Sequence, residues 1–89
     1  MNEARITEIR RRLEAALEPT QLEIVDESDK HVGHAGARDG RGHFHVRIAS
    51  AQFAGLPPVQ RHRLIYDAVG DLMDTDIHAL SIEASAPPT

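Results

Sequence analysis

Apolar residues near the start of the chain recur at the spacing of an amphipathic helix. They follow the i, i+3, i+7 pattern, which places them on one stripe: Ile6, Ile9, Leu13, Ala16 and Leu17. The three arginines at positions 10–12 cannot all share this stripe, so we expect them to face water. Pro19 ends the helix, because proline cannot continue it.

Two strands are predicted on either side of a glycine-rich loop. The first is Leu22–Asp26, and residues 29–42 form the loop, with four glycines and no apolar period. In His43–Ile48, apolar and polar positions alternate. We expect one face to be core and the other to be wet and basic; these faces hold Phe44, Val46 and Ile48, and His43, His45 and Arg47, respectively.

A second helix and a third strand complete the pattern. Residues 50–55 predict a turn from which Phe53 folds back, and a helix runs from Pro57 to Met73. Acids crowd its C-terminal half, where they oppose the helix dipole: Asp67, Asp71 and Asp74. Ile77–Ile82 is a short strand, whose alternation predicts His78 in line with the apolar residues, at the edge of the core.

The order helix, strand, strand, helix, strand predicts an α+β fold with a three-stranded mixed sheet. The first two strands can pair antiparallel, and the third returns through a helix to lie parallel to the second. Helices on one face of this sheet make a two-layer sandwich. The 89 residues fit a single domain, with residues 1–4 and 85–89 expected to be frayed.

Composition narrows the compartment and the chemistry. No run approaches the ~20 apolar residues of a membrane span, and the N-terminus lacks the apolar region of a secretory signal. The absence of cysteine excludes disulfides, thiolate metal sites and a thiol nucleophile. We therefore expect a cytoplasmic protein that does not bind membranes.

Basic residues are concentrated in the middle of an acidic chain. The formal net charge is −4, yet residues 30–63 carry six basic residues and one acid, a net +5. Such a concentration favours an anionic partner, although surface charge without any such role explains it equally well.

Histidine is the residue type that offers the most candidates for a functional site, since the chain has six. Histidine is a common metal ligand, and the loop could bring His31 or His34 towards His78. The alternative is that each ring is an ordinary hydrogen-bonded side chain. No phosphate-binding loop, nucleophile elbow or acid–base pair is present, so we do not expect an enzyme.

Five short segments, in order and at fitting spacings, strongly resemble the BolA-like family. They are residues 25–28, 42–46, 53–55, 61–66 and 77–82, within a resemblance that runs from about Ile6 to Ala86. The resemblance implies an α/β sandwich related to the type II KH fold, without its helix-to-helix GxxG loop. The chain does contain a GxxG match at Gly33–Gly36, but it lies between predicted strands.

The resemblance implies partnership with a monothiol glutaredoxin around a shared, glutathione-assisted [2Fe–2S] cluster, in iron–sulfur trafficking and iron homeostasis. One family ligand is the histidine of the last-strand motif, which maps onto His78. The other lies in the loop, where counting forward from the first strand selects His31 and counting back from the second selects His34. We favour His34. The isolated chain is expected to bind no cluster. The sequence leaves open whether the chain forms a weak homodimer.

The resemblance also implies a second activity, DNA binding in transcription regulation. The candidate contacts, to DNA or to a protein partner, are Arg38, Arg41, Arg47, Arg61, His62 and Arg63. The scarcity of aromatic residues argues against strong single-strand binding. A third alternative is a metal-free protein-interaction module in which the histidines only shape a docking surface.

Overall fold

The computed structural model describes residues 3–28 and 41–88. Three helices, three strands and a short 3-10 helix at Ala51–Phe53 occupy this part of the chain. In chain order they are α1 (Glu3–Leu17), β1 (Gln21–Asp26), β2 (Gly42–Ala49), α2 (Pro58–Val69), α3 (Leu72–Thr75) and β3 (Ile77–Ser85). No helix in these two ranges is long and apolar enough to cross a membrane.

The sheet has the predicted topology. Its strand order is β1-β2-β3, with β2 antiparallel to β1 and parallel to β3. The apolar face of β2 packs with the helices in one core, whose buried members are Ile9, Leu13, Leu17, Phe44, Val46, Ile48, Phe53, Ile65, Val69, Leu72 and Ile77. The predicted α+β architecture is confirmed, and so is the inward position of Phe53.

Secondary structure extends further towards both ends of the described chain than the sequence predicts. Helix α1 already includes Glu3 and Ala4, and β3 continues to Ser85. The carbonyl of Ser85 accepts a hydrogen bond of 3.0 Å from the amide of Ser50, which ties it to the sheet end. Fraying of residues 1–4 and 85–89 stays a prediction. Gly42, predicted in the loop, begins β2.

The predicted long second helix is broken at Gly70. This glycine has φ 52°, in the left-handed region, and its amide donates to the carbonyl of Tyr66 at 2.9 Å. The break starts a separate short helix, α3, immediately after Asp71. A single helix from Pro57 to Met73 is thus wrong, because a glycine cap ends α2.

Arg12 binds Asp71, one of the acids that the sequence places near this helix end. Its guanidinium Nη1 donates to the carbonyl of Val69 at 2.8 Å and to Asp71 at 2.7 Å. Its Nε donates to Glu8 at 2.9 Å. The expectation that all three consecutive arginines face water is wrong for Arg12, which is half-buried and joins α1 to the end of α2.

Candidate functional site

His78 lies at an irregularity in the sheet. Gly42 pairs with Ile77, whereas the next residue, His43, pairs with Ala79, so β3 has one extra residue at this point. That residue is His78, and its half-buried ring lies with its centroid 5.0 Å from that of His43. Half-buried and exposed residues alternate from His78 onwards, so His78 keeps its predicted alignment with half-buried Leu80 and Ile82, and the β-bulge interrupts the alternation only between Ile77 and His78.

Arg41 is hydrogen-bonded to one nitrogen of the His78 ring. Its Nη2 lies 3.2 Å from Nδ1 of His78, and its Nη1 donates to the carbonyl of Met73 at 3.0 Å. A guanidinium only donates hydrogen bonds, so Nδ1 of His78 is the acceptor. The neutral ring therefore carries its proton on Nε2 and its lone pair on Nδ1.

His43 is a site residue that strand alternation does not identify. Strand alternation predicts an exposed side chain, but only 8% of His43 is exposed. Its backbone is fixed on both sides, since its amide donates to Oγ of Ser28 at 3.0 Å and its carbonyl accepts from the amide of Glu27 at 2.8 Å. The bulge brings two imidazoles together, and this proximity has no signal in residue spacing.

The remaining metal-ligand candidates, His31 and His34, lie outside the described residues, as does Arg38. Within residues 3–28 and 41–88, no group of three or more histidine or acidic side chains could hold a metal ion. The described part of the site is thus an imidazole pair and a guanidinium.

Arg47 lies among acids on the face of the sheet opposite the core. Its Nε lies 3.1 Å from Glu83 and its Nη1 3.6 Å from Glu23, so one guanidinium faces two carboxylates. His45 shares Glu83 through a contact of 2.8 Å. Hydrogen bonds from His45 and Arg47 lower the pKa of Glu83 below its usual value. The predicted basic face is therefore close to neutral here.

The arginine–histidine–arginine segment of α2 divides into two roles. Arg61 supports the fold: its Nε donates to the carbonyl of Leu56 at 2.8 Å, and its Nη1 donates to that of Ala84 at 3.1 Å. His62 and the exposed Arg63 instead line a shallow groove on the outer side of α2. This groove also contains Val59 and Tyr66, which are 69% and 40% exposed.

Most of the chain matches a known protein family. The model of the BolA-like protein family matches residues 13–89. SufE-like protein 1, chloroplastic/mitochondrial, of Arabidopsis thaliana is 48% identical over 84 residues, which cover 89% of this chain but 23% of that protein. The DNA-binding transcriptional regulator BolA of Vibrio cholerae is 39% identical over 74 residues, covering 83% of this chain and 67% of the relative.

Solved structures agree with the sequence matches. The BolA domain of SufE1 from Arabidopsis thaliana aligns with a TM-score of 0.83 and 44% identity, covering 94% of this chain and 93% of that domain. The organelle in the name of the Arabidopsis relative differs from the compartment predicted above, so a cytoplasmic location stays a prediction. Together, the family match and the shared fold show that this chain belongs to the BolA-like protein family.

Proposed function

We propose that this protein is a non-enzymatic adaptor that partners a monothiol glutaredoxin and helps hold a glutathione-assisted [2Fe–2S] cluster. The cluster is its cargo, in iron–sulfur trafficking and iron homeostasis. His78 and one loop histidine, His34 or His31, are the ligands that this chain contributes. Sulfur ligands come from the partner, because this chain has no cysteine.

The geometry of His78 is the observation that supports this proposal most strongly. Its ring is half-buried at the bulge of β3, and Arg41 identifies Nδ1 as the nitrogen with the lone pair. A neutral imidazole with a defined lone pair is the form in which histidine ligates metals. Histidine replaces cysteine on one iron of some [2Fe–2S] clusters, so the donor type fits.

The neighbouring side chains suit a ligand of this kind. A metal-bound histidine needs a fixed ring orientation, which its surroundings normally supply. Here, the buried ring of His43 lies against His78, and the backbone of His43 is hydrogen-bonded on both sides. His43 therefore restricts the ring of His78 on one side.

Visible absorption and circular dichroism of the reconstituted complex test the proposal. The protein is mixed anaerobically with a monothiol glutaredoxin, glutathione, iron and sulfide, and its spectrum is compared with that of the glutaredoxin homodimer. We expect a distinct mixed spectrum that His78→Ala abolishes. His45→Gln is the matched control, since His45 contacts Glu83 and should leave the spectrum intact. An unchanged spectrum with His78→Ala would show that His78 is not a ligand.

The same preparation distinguishes the loop ligands and the metal-free alternative. His34→Ala should alter the mixed spectrum and His31→Ala should not, if His34 is the second ligand; the reverse result assigns His31. Complex formation measured without iron tests whether the protein is only an interaction module. Equal affinity with and without the cluster, together with an unchanged His78→Ala spectrum, would favour that alternative.

DNA-binding regulation is the second candidate function, and the name of the Vibrio cholerae relative favours it. The structure reduces the set of available contacts, because Arg47 faces two carboxylates and Arg61 binds backbone carbonyls. Arg63 on the outer side of α2 is the strongest described candidate. A specific binder should prefer one duplex, with an affinity that falls steeply with salt and weakens in Arg63→Ala. A flat salt response would exclude this function.

A further inference from the structure

We infer that Arg41 is a latch on His78, so that His78 becomes a metal ligand only after Arg41 has moved away. The inference rests on the proposed function, because it concerns the same ligand, and it adds a regulatory step to it. The sequence predicts Arg41 as a contact for DNA or a protein partner. Its position in the structure gives it a more specific role.

The hydrogen bond between Arg41 and His78 has a defined direction. Nη2 of Arg41 lies 3.2 Å from Nδ1 of His78. Since arginine has five N–H donors and no acceptor, the lone pair of Nδ1 must point at the guanidinium. The only lone pair in the plane of the neutral His78 ring is thus already occupied.

Metal ligation then has two routes, and Arg41 blocks both. Ligation through Nδ1 needs the lone pair that Arg41 holds. Ligation through Nε2 needs the proton to move to Nδ1, where an N–H would face the N–H of Arg41, donor against donor. Either way, the contact between Arg41 and His78 must break before a bond to metal forms.

A second contact makes Arg41 a defined latch rather than a passing surface contact. Its other terminal nitrogen, Nη1, donates to the carbonyl of Met73 in α3 at 3.0 Å, so the guanidinium bridges α3 and β3.

The tautomer of His78 in the metal-free protein is the first test. Nitrogen-15 NMR at a pH where the ring is neutral should show Nδ1 without a proton and Nε2 with one, with His78→Gln used to assign the signal. Arg41→Met should remove this preference. Arg47→Met is the matched control, because it removes a nearby arginine of β2 that contacts Glu83 and Glu23. A proton on Nδ1 in the unmodified protein would overturn the latch.

Zinc binding to the metal-free protein is the second test, with Zn²⁺ as the probe. Loss of a hydrogen bond from a charged donor should strengthen zinc binding about tenfold in Arg41→Met. In the His78→Gln background, the same change should have no effect, since other histidines then hold the zinc. Equal zinc affinity with and without Arg41, in variants whose NMR spectra show an intact fold, would overturn the inference.

The proposed cluster ligand and the proposed latch can be tested independently. The zinc affinities of Arg41→Met, His78→Gln and the double variant form a double-mutant cycle, called the zinc cycle here. If His78→Ala leaves the mixed cluster spectrum unchanged while the zinc cycle shows coupling between Arg41 and His78, the latch stands and the cluster ligand is wrong. If His78→Ala abolishes the mixed spectrum while the zinc cycle shows no coupling, the ligand stands and the latch is wrong.

Discussion

Replacing Gly42 with alanine tests the tight packing of Phe44 and Ser28 against this position of β2, opposite the bulge of β3. A Cβ at this position would lie 2.5 Å from Cε2 and 2.7 Å from Cζ of the Phe44 ring, and 3.0 Å from Oγ of Ser28. Phe44 is 1% exposed, so its ring cannot swing into solvent. The amide of Gly42 also donates to the carbonyl of Asp76 at 2.9 Å, directly before β3 begins.

The expected cost follows from these distances. Contacts this short require a core ring or the strand itself to shift, and overpacking of this kind costs about 1–3 kcal/mol of unfolding free energy. Phe44→Leu shortens the side chain and removes the clashing atoms, at a cost of about 1 kcal/mol for the lost packing. The double variant should therefore be more stable than the sum of the two costs predicts, by about 1 kcal/mol or more.

Urea unfolding followed by circular dichroism measures the free energies of unfolding of the unmodified protein, the two single variants and the double variant. Gly55→Ala is the control: Gly55 has φ 78°, so alanine is strained by about 1 kcal/mol, but among the described residues no atom beyond its two chain neighbours lies within 4 Å of its Cβ. Its cost should add to that of Phe44→Leu without coupling. If Gly42→Ala costs less than about 0.5 kcal/mol, or is additive with Phe44→Leu, the steric explanation of this glycine is refuted.

Three further predictions concern stability. Ser50 is fully buried and its Oγ donates to the carbonyl at the end of α1 at 2.6 Å, so Ser50→Ala should cost about 1–3 kcal/mol in urea unfolding; a loss below about 0.5 kcal/mol would contradict this. Hydrogen bonds from Arg11 and Arg12 lower the pKa of Glu8 from 4.5 to about 2. This depressed pKa stabilises the fold above pH 4.5, and the stabilisation is lost as the pH falls towards 2. Glu8→Gln should therefore flatten the decline in the urea midpoint across that range. An unchanged slope would exclude the effect. Arg12→Met should lower the urea midpoint more than Arg10→Met, because Arg12 binds the last carbonyl of α2 whereas Arg10 forms a long ion pair of 3.9 Å with Glu14 on the same helix; equal midpoints would contradict this role.

Local patterns predict most of the fold of the described chain. The alternation in β2 identifies its core face correctly, since Phe44, Val46 and Ile48 are all nearly fully buried. Strand order follows from the two connections. The helix break escapes the apolar pattern, because Ile65, Val69 and Leu72 continue the period across Gly70 and only the backbone conformation of that glycine separates α2 from α3.

The candidate site is less predictable because it depends on contacts between distant segments. A bulge changes the pairing of β2 with β3, and no periodicity within either strand encodes that register shift. The contact of Arg41 with His78 spans 37 positions. Regional charge misleads for the same reason, since Arg47 from the basic middle meets Glu23 and Glu83, one from each acidic end of the chain.

In the proposed function, this chain supplies histidine nitrogen to an iron–sulfur cluster whose sulfur ligands belong to its partner. Pulsed EPR of the reduced complex detects such nitrogen ligands, with nitrogen-15 histidine incorporated only into this protein and an unlabelled glutaredoxin. We expect strong nitrogen-15 hyperfine coupling that changes in His78→Ala and persists in His45→Gln. A reduced cluster without strong nitrogen-15 coupling would show that this chain contributes no histidine ligand.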